Sequence, residues 1–294
     1  MIMSKLFIRC VAIAAAAIGS LLPLGPEVLA QSGAGSSQER ADFKRFFDAA
    51  GVEGTIVVHD LRKGTTILYN PARANTGYLP ASTFKIPNSL IALEFGGVKD
   101  VDGDVFKWNG KPFSWDREAV LVEGKPILPE ACNADITLRV AFPNSCVPIY
   151  QEIARRVGVE RYKSILRSID YGNVDIGRVS VDRFWLEGDL KISAMQQIEF
   201  LRRLYREELP FSKRSFAQVK DIMAAEKTPD YTIRAKSGYA FPTNPGVGWW
   251  IGWIERGDEV FLFATNIDLP RPTLELLRAR VLITKAVLKE LGVL

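Results

Sequence analysis

Histidine and cysteine are scarce in this chain of 294 residues, which has one histidine, His59, and three cysteines, Cys10, Cys132 and Cys146. A zinc site usually takes three or four His, Cys or carboxylate ligands at close spacing. The chain has no His-x-x-x-His and no Cys-x-x-Cys, so no metal is expected. The lone histidine lies in a run of strand character, which argues against a Ser-His-Asp triad. A large excess of one charge is missing too. The formal net charge is +4 and the basic residues are spread, which leaves no footprint for nucleic acid. Low-complexity tracts and internal repeats are absent, and beyond the N-terminus no apolar run reaches membrane-spanning length.

What remains is 47% hydrophobic, 24% charged and 10% aromatic, the composition of a folded globular protein with a large core. The first thirty residues read as an export signal to be removed. Lys5 and Arg9 form a basic start, 11–24 an apolar stretch, and Val28-Leu29-Ala30 a small-residue cleavage site. Residues 31–294 are then expected as one catalytic domain, periplasmic in a host with two membranes and without further membrane contact. Cys10 leaves with the signal. An oxidising compartment permits a bridge between Cys132 and Cys146, but the reading favours two separate buried thiols.

Periodicity organises the rest. Helices are expected over 39–49, 82–95, 144–156, 193–208 and 272–291. Strands are expected over 55–60 and 66–70, joined by a turn at Arg62-Lys63-Gly64, and over 231–239, 246–256 and 259–267 near the C-terminus. Strands at both ends around a helical middle imply an α/β protein of α+β type, an antiparallel sheet flanked by helices with an inserted helical lobe. Loop-rich stretches at 98–129 and 170–189 are candidates for structure around a site, with Trp108 and Trp115 as possible cleft walls. Trp249, Trp250 and Trp253 are expected to pack in the sheet, and His59 to be structural.

Ser82-Thr83-Phe84-Lys85 opens a helix, so Ser82 and Lys85 share a face with the amine in reach of the hydroxyl. A serine hydroxyl is a weak nucleophile until a base takes its proton, and a lysine can be that base once burial suppresses its charge. Three further elements follow in order: Ser145-Cys146-Val147, Tyr171-Gly172-Asn173, and Lys236-Ser237-Gly238 followed by Tyr239 on a strand.

That order resembles the serine β-lactamases and penicillin-binding proteins. Ser-x-Val together with Tyr-Gly-Asn and the Trp-Leu of Arg183-Phe184-Trp185-Leu186-Glu187-Gly188 is similar to class D, the oxacillinases, over nearly all of 31–294. The resemblance implies a hydrolase of β-lactam small molecules, monomeric or homodimeric, with Ser82 attacking the lactam carbonyl. It implies an oxyanion hole from the backbone N–H groups of Ser82 and Tyr239. Ser145 would bridge Lys85 and Lys236 and relay a proton to the departing lactam nitrogen, and Lys236, Ser237 and a C-terminal arginine would hold the substrate carboxylate. Spacing from Thr284-Lys285 favours Arg280 for that arginine, with Arg278 in reserve. Gly238, lacking a side chain, would let a ligand lie close to its strand. No separate cofactor is implied, but Lys85 would carry a CO₂-derived carbamate that accepts a hydrogen bond from Trp185, within walls formed by Val147, Leu186 and Trp185. Asn173 is open between a structural and a site role.

Two relatives of similar motif set compete with a lactamase. β-Lactam sensors stay acylated and carry membrane spans with a signalling domain, and transpeptidases usually have Ser-x-Asn where this chain has Ser145-Cys146-Val147. The chain departs from the common class D pattern at Ser237, where threonine is more frequent, at Cys146, and in a slightly long interval from Asn173 to Trp185.

Overall fold

The computed structural model describes residues 36–111, 121–122, 125–126, 129–241, 243–270 and 273–294. Its elements are, in order, β1 (Ser37–Glu39), α1 (Lys44–Ala49), β2 (Gly54–Asp60), β3 (Thr65–Tyr69), α2 (Pro71–Ala74), α3 (Lys85–Glu94), β4 (Leu121–Val122) and β5 (Lys125–Pro126). There follow α4 (Leu138–Ala141), α5 (Val147–Val157), α6 (Val159–Ser168), α7 (Phe184–Glu187), α8 (Ala194–Tyr205) and α9 (Lys213–Ile222). The chain closes with β6 (Ala224–Lys227), β7 (Thr232–Ala240), β8 (Gly246–Arg256), β9 (Glu259–Leu269) and α10 (Leu274–Glu290). The expected helices all occur with shifted ends. Those shifts follow the caps: Ser193 and Gln196 form a reciprocal capping box that starts α8, and the Thr273 hydroxyl accepts from Leu276 N–H to start α10. The short α6 and α9 were not anticipated, because each presents only a few apolar residues, such as Tyr162 and Leu166, to the core.

The sheet order is β1-β3-β2-β9-β8-β7-β6. All neighbours are antiparallel except β1 and β3, which run parallel, so the expected antiparallel sheet is in fact mixed at one short edge. β8 and β9 are buried along nearly their whole length, which explains their almost continuous apolar sequence: helices cover both faces. One face, with Trp249, Ile251, Trp253, Leu262 and Ala264, packs on the helical lobe inserted between β3 and β6. The other, with Trp250, Ile254, Phe261 and Phe263, packs on α1 and α10 through Phe43, Phe47, Ile283 and Val287. The three tryptophans of β8 are core residues as expected.

Two glycines let the backbone close up where the site is built. A Cβ at Gly252 would lie 2.0 Å from the Arg234 carbonyl oxygen and 2.7 Å from Ala235 Cα, in the paired strand one step from Lys236. A Cβ at Gly238 would lie 3.0 Å from the Pro80 carbonyl oxygen and 3.1 Å from Thr83 Cγ2. The turn bearing Ser82 thus packs closely against the strand at Gly238.

Cys132 and Cys146 are joined, with Cα atoms 5.4 Å apart. This overturns the expectation of separate thiols: whether two cysteines 14 residues apart meet depends on the path of the loop between them, which no local pattern encodes. In the chain-entropy account, closing a loop of this size stabilises by about 3 kcal/mol.

Gly252→Ala is expected to destabilise the fold by at least about 2 kcal/mol, because backbone rather than a flexible side chain stands in the way. Urea unfolding midpoints of the two proteins measure this, and equal midpoints would contradict the close strand approach.

Candidate active site

Ser82, the expected nucleophile, sits on a tight turn. Residues Ala81–Phe84 form a 3-10 turn that runs into α3, and Ala81 adopts φ 47, outside the usual region for a residue with a side chain. The turn is braced from three directions. Thr83 N–H and its hydroxyl both donate to the Pro80 carbonyl, Gln197 Nε2 of α8 donates to Thr83 Oγ1 at 3.1 Å, and Trp249 Nε1 of β8 donates to the Leu79 carbonyl at 3.0 Å. Ser82 N–H lies in the first turn, where amides lack helical acceptors.

One helical turn on, Lys85 is fully buried at 0% exposure, and its Nζ is hydrogen-bonded to Ser82 Oγ at 2.9 Å. Its amine also lies 5.0 Å from the centre of the Tyr150 ring on α5. Tyr150 was not singled out from the sequence, although its place in Val147-Pro148-Ile149-Tyr150 put it one turn beyond the Ser-x-Val motif. Its hydroxyl meets Ser89 Oγ at 2.9 Å, and Ser89 in turn donates to the Lys85 carbonyl, so the base of the pocket is a closed polar chain.

Ser145 comes from a different part of the lobe. It lies two residues before α5 with φ 54 and caps nothing; its Oγ accepts from Lys236 Nζ of β7. Lys236 also donates to the Ser237 carbonyl at 3.2 Å. Strand alternation sends Lys236 towards the lobe, and Ser237 and Tyr239 towards the side of α10. From α10, Arg280 reaches over β8 at Gly248, whose Cβ would lie 3.4 Å from Arg280 Nη1. Arg280 Nε and Nη1 are buried without a hydrogen-bond partner. Arg278 is exposed on the same helix, so the geometry favours Arg280.

The electrostatics follow from this stacking of cations. Burial pushes the Lys85 ammonium far below the usual lysine range, and the charge of Lys236 adds to the effect. Burial lowers Lys236 to about 7, helped by Arg280. Arg280 itself is lowered to about 10 by burial, with Tyr239 opposing the shift. Among the described residues no carboxylate pairs with any of the three. The site is therefore a buried, positively biased pocket that favours a neutral amine on Lys85 and an anion beside Lys236 and Arg280.

Aromatic packing walls the pocket. Trp185 of α7 is fully buried and stacks on Phe84 at 5.5 Å, with Phe184 edge-on to both. Leu186 and Val147 are buried in the same core. Trp185 Nε1 is buried with no acceptor, although a buried indole N–H ordinarily finds one.

A family model described as the penicillin binding protein transpeptidase domain matches residues 27–291. The β-lactamase OXA-48 of Klebsiella pneumoniae is 43% identical over 256 residues, which cover 86% of this chain and 89% of that protein. The β-lactamase OXA-5 of Pseudomonas aeruginosa is 41% identical over 240 residues, 80% of this chain and 83% of that protein. Among solved structures, the class D β-lactamase YbXI from Nostoc matches with a TM-score of 0.78 at 40% identity, over 87% of this chain and all of that one. The chain belongs to the class D β-lactamase family. It is a hydrolase, and β-lactams fit it as substrates.

Other residues named from the sequence lie apart from this class D site. Asn173 is structural: its side chain donates to the Asp189 carbonyl and accepts from Lys191 N–H, both at 2.9 Å, pinning the two ends of the loop that carries α7. His59 pairs with Thr66 across β2 and β3. Trp108 is 42% exposed and lines a separate cavity of about 380 Å³ with Cys132 and Pro148. Trp115 and the 1–30 segment lie outside the described residues.

Lys236 gives a stability test of the buried-cation reading. Its folded pKa, about 7, lies below the ordinary lysine value of 10.5. The unfolded chain therefore binds the extra proton, and this group's contribution to stability rises with pH between those values. Lys236→Met of this β-lactamase is expected to raise Tm by a few degrees at neutral pH, with the gain shrinking as pH approaches 10.5. Calorimetry at both ends of that window checks it; a Tm change independent of pH would contradict the assignment.

Proposed function

We propose that the chain is exported and opens the ring of penicillin-type antibiotics through an acyl-enzyme on Ser82, with Lys85 as the base in its N-carboxylated form. The observation that carries this reading is the pairing of a buried, acid-free lysine amine on Ser82 Oγ with a buried indole N–H that has nothing to bind. A neutral amine reacts with CO₂ where an ammonium does not, and burial keeps Lys85 neutral. The residues present fit the group: Trp185 Nε1 would hold a carboxylate on Nζ, and the charge of Lys236 would offset it, within apolar walls from Val147 and Leu186. Such a carboxylate supplies an anionic base for both acylation and hydrolysis.

The chain's own groups account for the remaining steps. Ser82 Oγ attacks the lactam carbonyl carbon as its proton leaves towards the carboxylated side chain of Lys85, and the N–H groups of Ser82 and Tyr239 stabilise the oxyanion. The C–N bond breaks, and the departing nitrogen takes a proton from the Ser145 hydroxyl, which Lys236 replenishes through their hydrogen bond. Arg280, with its unpartnered donors, and the Ser237 hydroxyl receive the substrate carboxylate beside Lys236. Water then hydrolyses the ester on Ser82. Export rests on the basic, apolar and small-residue pattern of the first thirty residues and agrees with the Cys132–Cys146 bridge, which persists in an oxidising compartment such as the periplasm.

A time course of penicillin hydrolysis with and without bicarbonate, followed by intact mass spectrometry, tests the reading. Many turnovers are expected, with activity falling at acid pH and restored by bicarbonate, because protonation of a carbamate on Lys85 would release CO₂. One equivalent bound at Ser82 without turnover in either buffer would overturn it. Trp185→Phe keeps a ring and removes the N–H; deacylation is expected to slow on the order of a hundredfold more than acylation, so acyl-enzyme accumulates. Equal loss of both steps would exclude Trp185 from holding the carboxylate.

A further inference from the structure

Ser145 has to keep its hydroxyl on Lys236 Nζ, yet it belongs to no helix or strand and sits at φ 54, a conformation that a residue with a Cβ avoids. The hydrogen bonds of its turn are local. Ser145 N–H donates to the Phe142 carbonyl at 3.1 Å, Cys146 N–H to the Ala141 carbonyl at 3.0 Å, and Asn144 Nδ2 to the Val140 carbonyl at 2.9 Å. All three tie the turn to α4, the short helix just before it.

Cys146 and Val147 beyond it are buried in the core, while Ser145 itself is only partly buried. A cavity of about 380 Å³ borders Pro148 and Ile149 at the start of α5. A covalent tie reaches the same turn: Cys146, next to Ser145, is bonded to Cys132, which lines that cavity. The Cys132 end is anchored independently. It sits in the 3-10 turn Glu130–Cys132, and Ile136 just beyond is bridged to Phe106 by two backbone hydrogen bonds of 2.9 and 3.2 Å. Asp135 holds the same stretch through Trp108 N–H and the Lys107 amine.

We propose that the Cys132–Cys146 disulfide is the positioning element for Ser145, holding it in the left-handed conformation that keeps its hydroxyl in the relay. This rests on the reading of Ser145 as proton donor to the departing nitrogen. Reducing the bridge would slow ring opening while leaving the hydrolytic half of the cycle intact, which makes the enzyme's efficiency depend on an oxidising compartment.

A double-mutant cycle on acylation tests it, with single-turnover rates measured for the wild type, Cys132→Ala, Ser145→Ala and the combined variant. Cys132→Ala leaves the Cys146 side chain beside Ser145 in place. Acylation by Cys132→Ala is expected to fall on the order of tenfold to a hundredfold, the cost of a small misplacement of a reacting group, with deacylation unchanged. In the Ser145→Ala background the same substitution is expected to cost nothing further. Equal losses in both backgrounds, or no loss in the wild-type background, would overturn the proposal and leave the bridge a stabiliser of the fold alone. If Ser145→Ala itself acylates at the wild-type rate, the relay reading fails, and the proposal fails with it. If Cys132→Ala does not fold, the comparison is made on folded wild type and Ser145→Ala before and after chemical reduction, with loss of the bridge confirmed by intact mass; the same outcomes decide.

Discussion

A lysine amine buried beside a serine hydroxyl, with no carboxylate paired to it among the described residues, is the constraint on which the rest of the molecule depends. An isolated ammonium in that position would cost far more than a folded domain can spare, so the group gives up its proton instead. The aromatic wall of Phe84, Phe184 and Trp185, the Tyr150 ring and the closed hydrogen-bond chain through Ser89 keep water from restoring it. Burying such a group makes the site costly to hold together, which is the usual tension between activity and stability.

The sheet resolves that tension by supplying rigidity. β8 and β9 are buried on both faces, and β7, their neighbour, carries Lys236 against the lobe while Gly238 lets the Ser82 turn press against the strand backbone. α10, on the far face, sends Arg280 across Gly248 to the same place. The three cations thus come from two helices and a strand, and each lowers the proton affinity of the next. An anion placed beside these groups would relieve the repulsion among them.

Legibility differed among the site residues for physical reasons. Ser82 and Lys85 were readable because three residues along a helix is a contact by construction. Trp249, Trp250 and Trp253 were readable as core from the composition of their strand. That the Ser82 turn comes close to Gly238 was not legible, because which backbone comes near is set by the docking of a turn 155 residues away in sequence. The Cys132–Cys146 pair was misjudged for a like reason. Tyr150 and the brace from Gln197 to Thr83 escaped notice because a buried tyrosine or glutamine has no distinctive spacing.

By itself, the sequence determined the class of the fold, the order of its motifs and the contact of Lys85 with Ser82, since these depend on periodicity and on contacts within a helical turn. The tertiary structure alone decided that Ser145 meets Lys236, that Arg280 and not Arg278 reaches the strand, that the indole N–H of Trp185 has no acceptor, and that two cysteines bond. Each of these is a meeting of atoms from distant parts of the chain, fixed by how helices and sheet pack and not by any repeat along it.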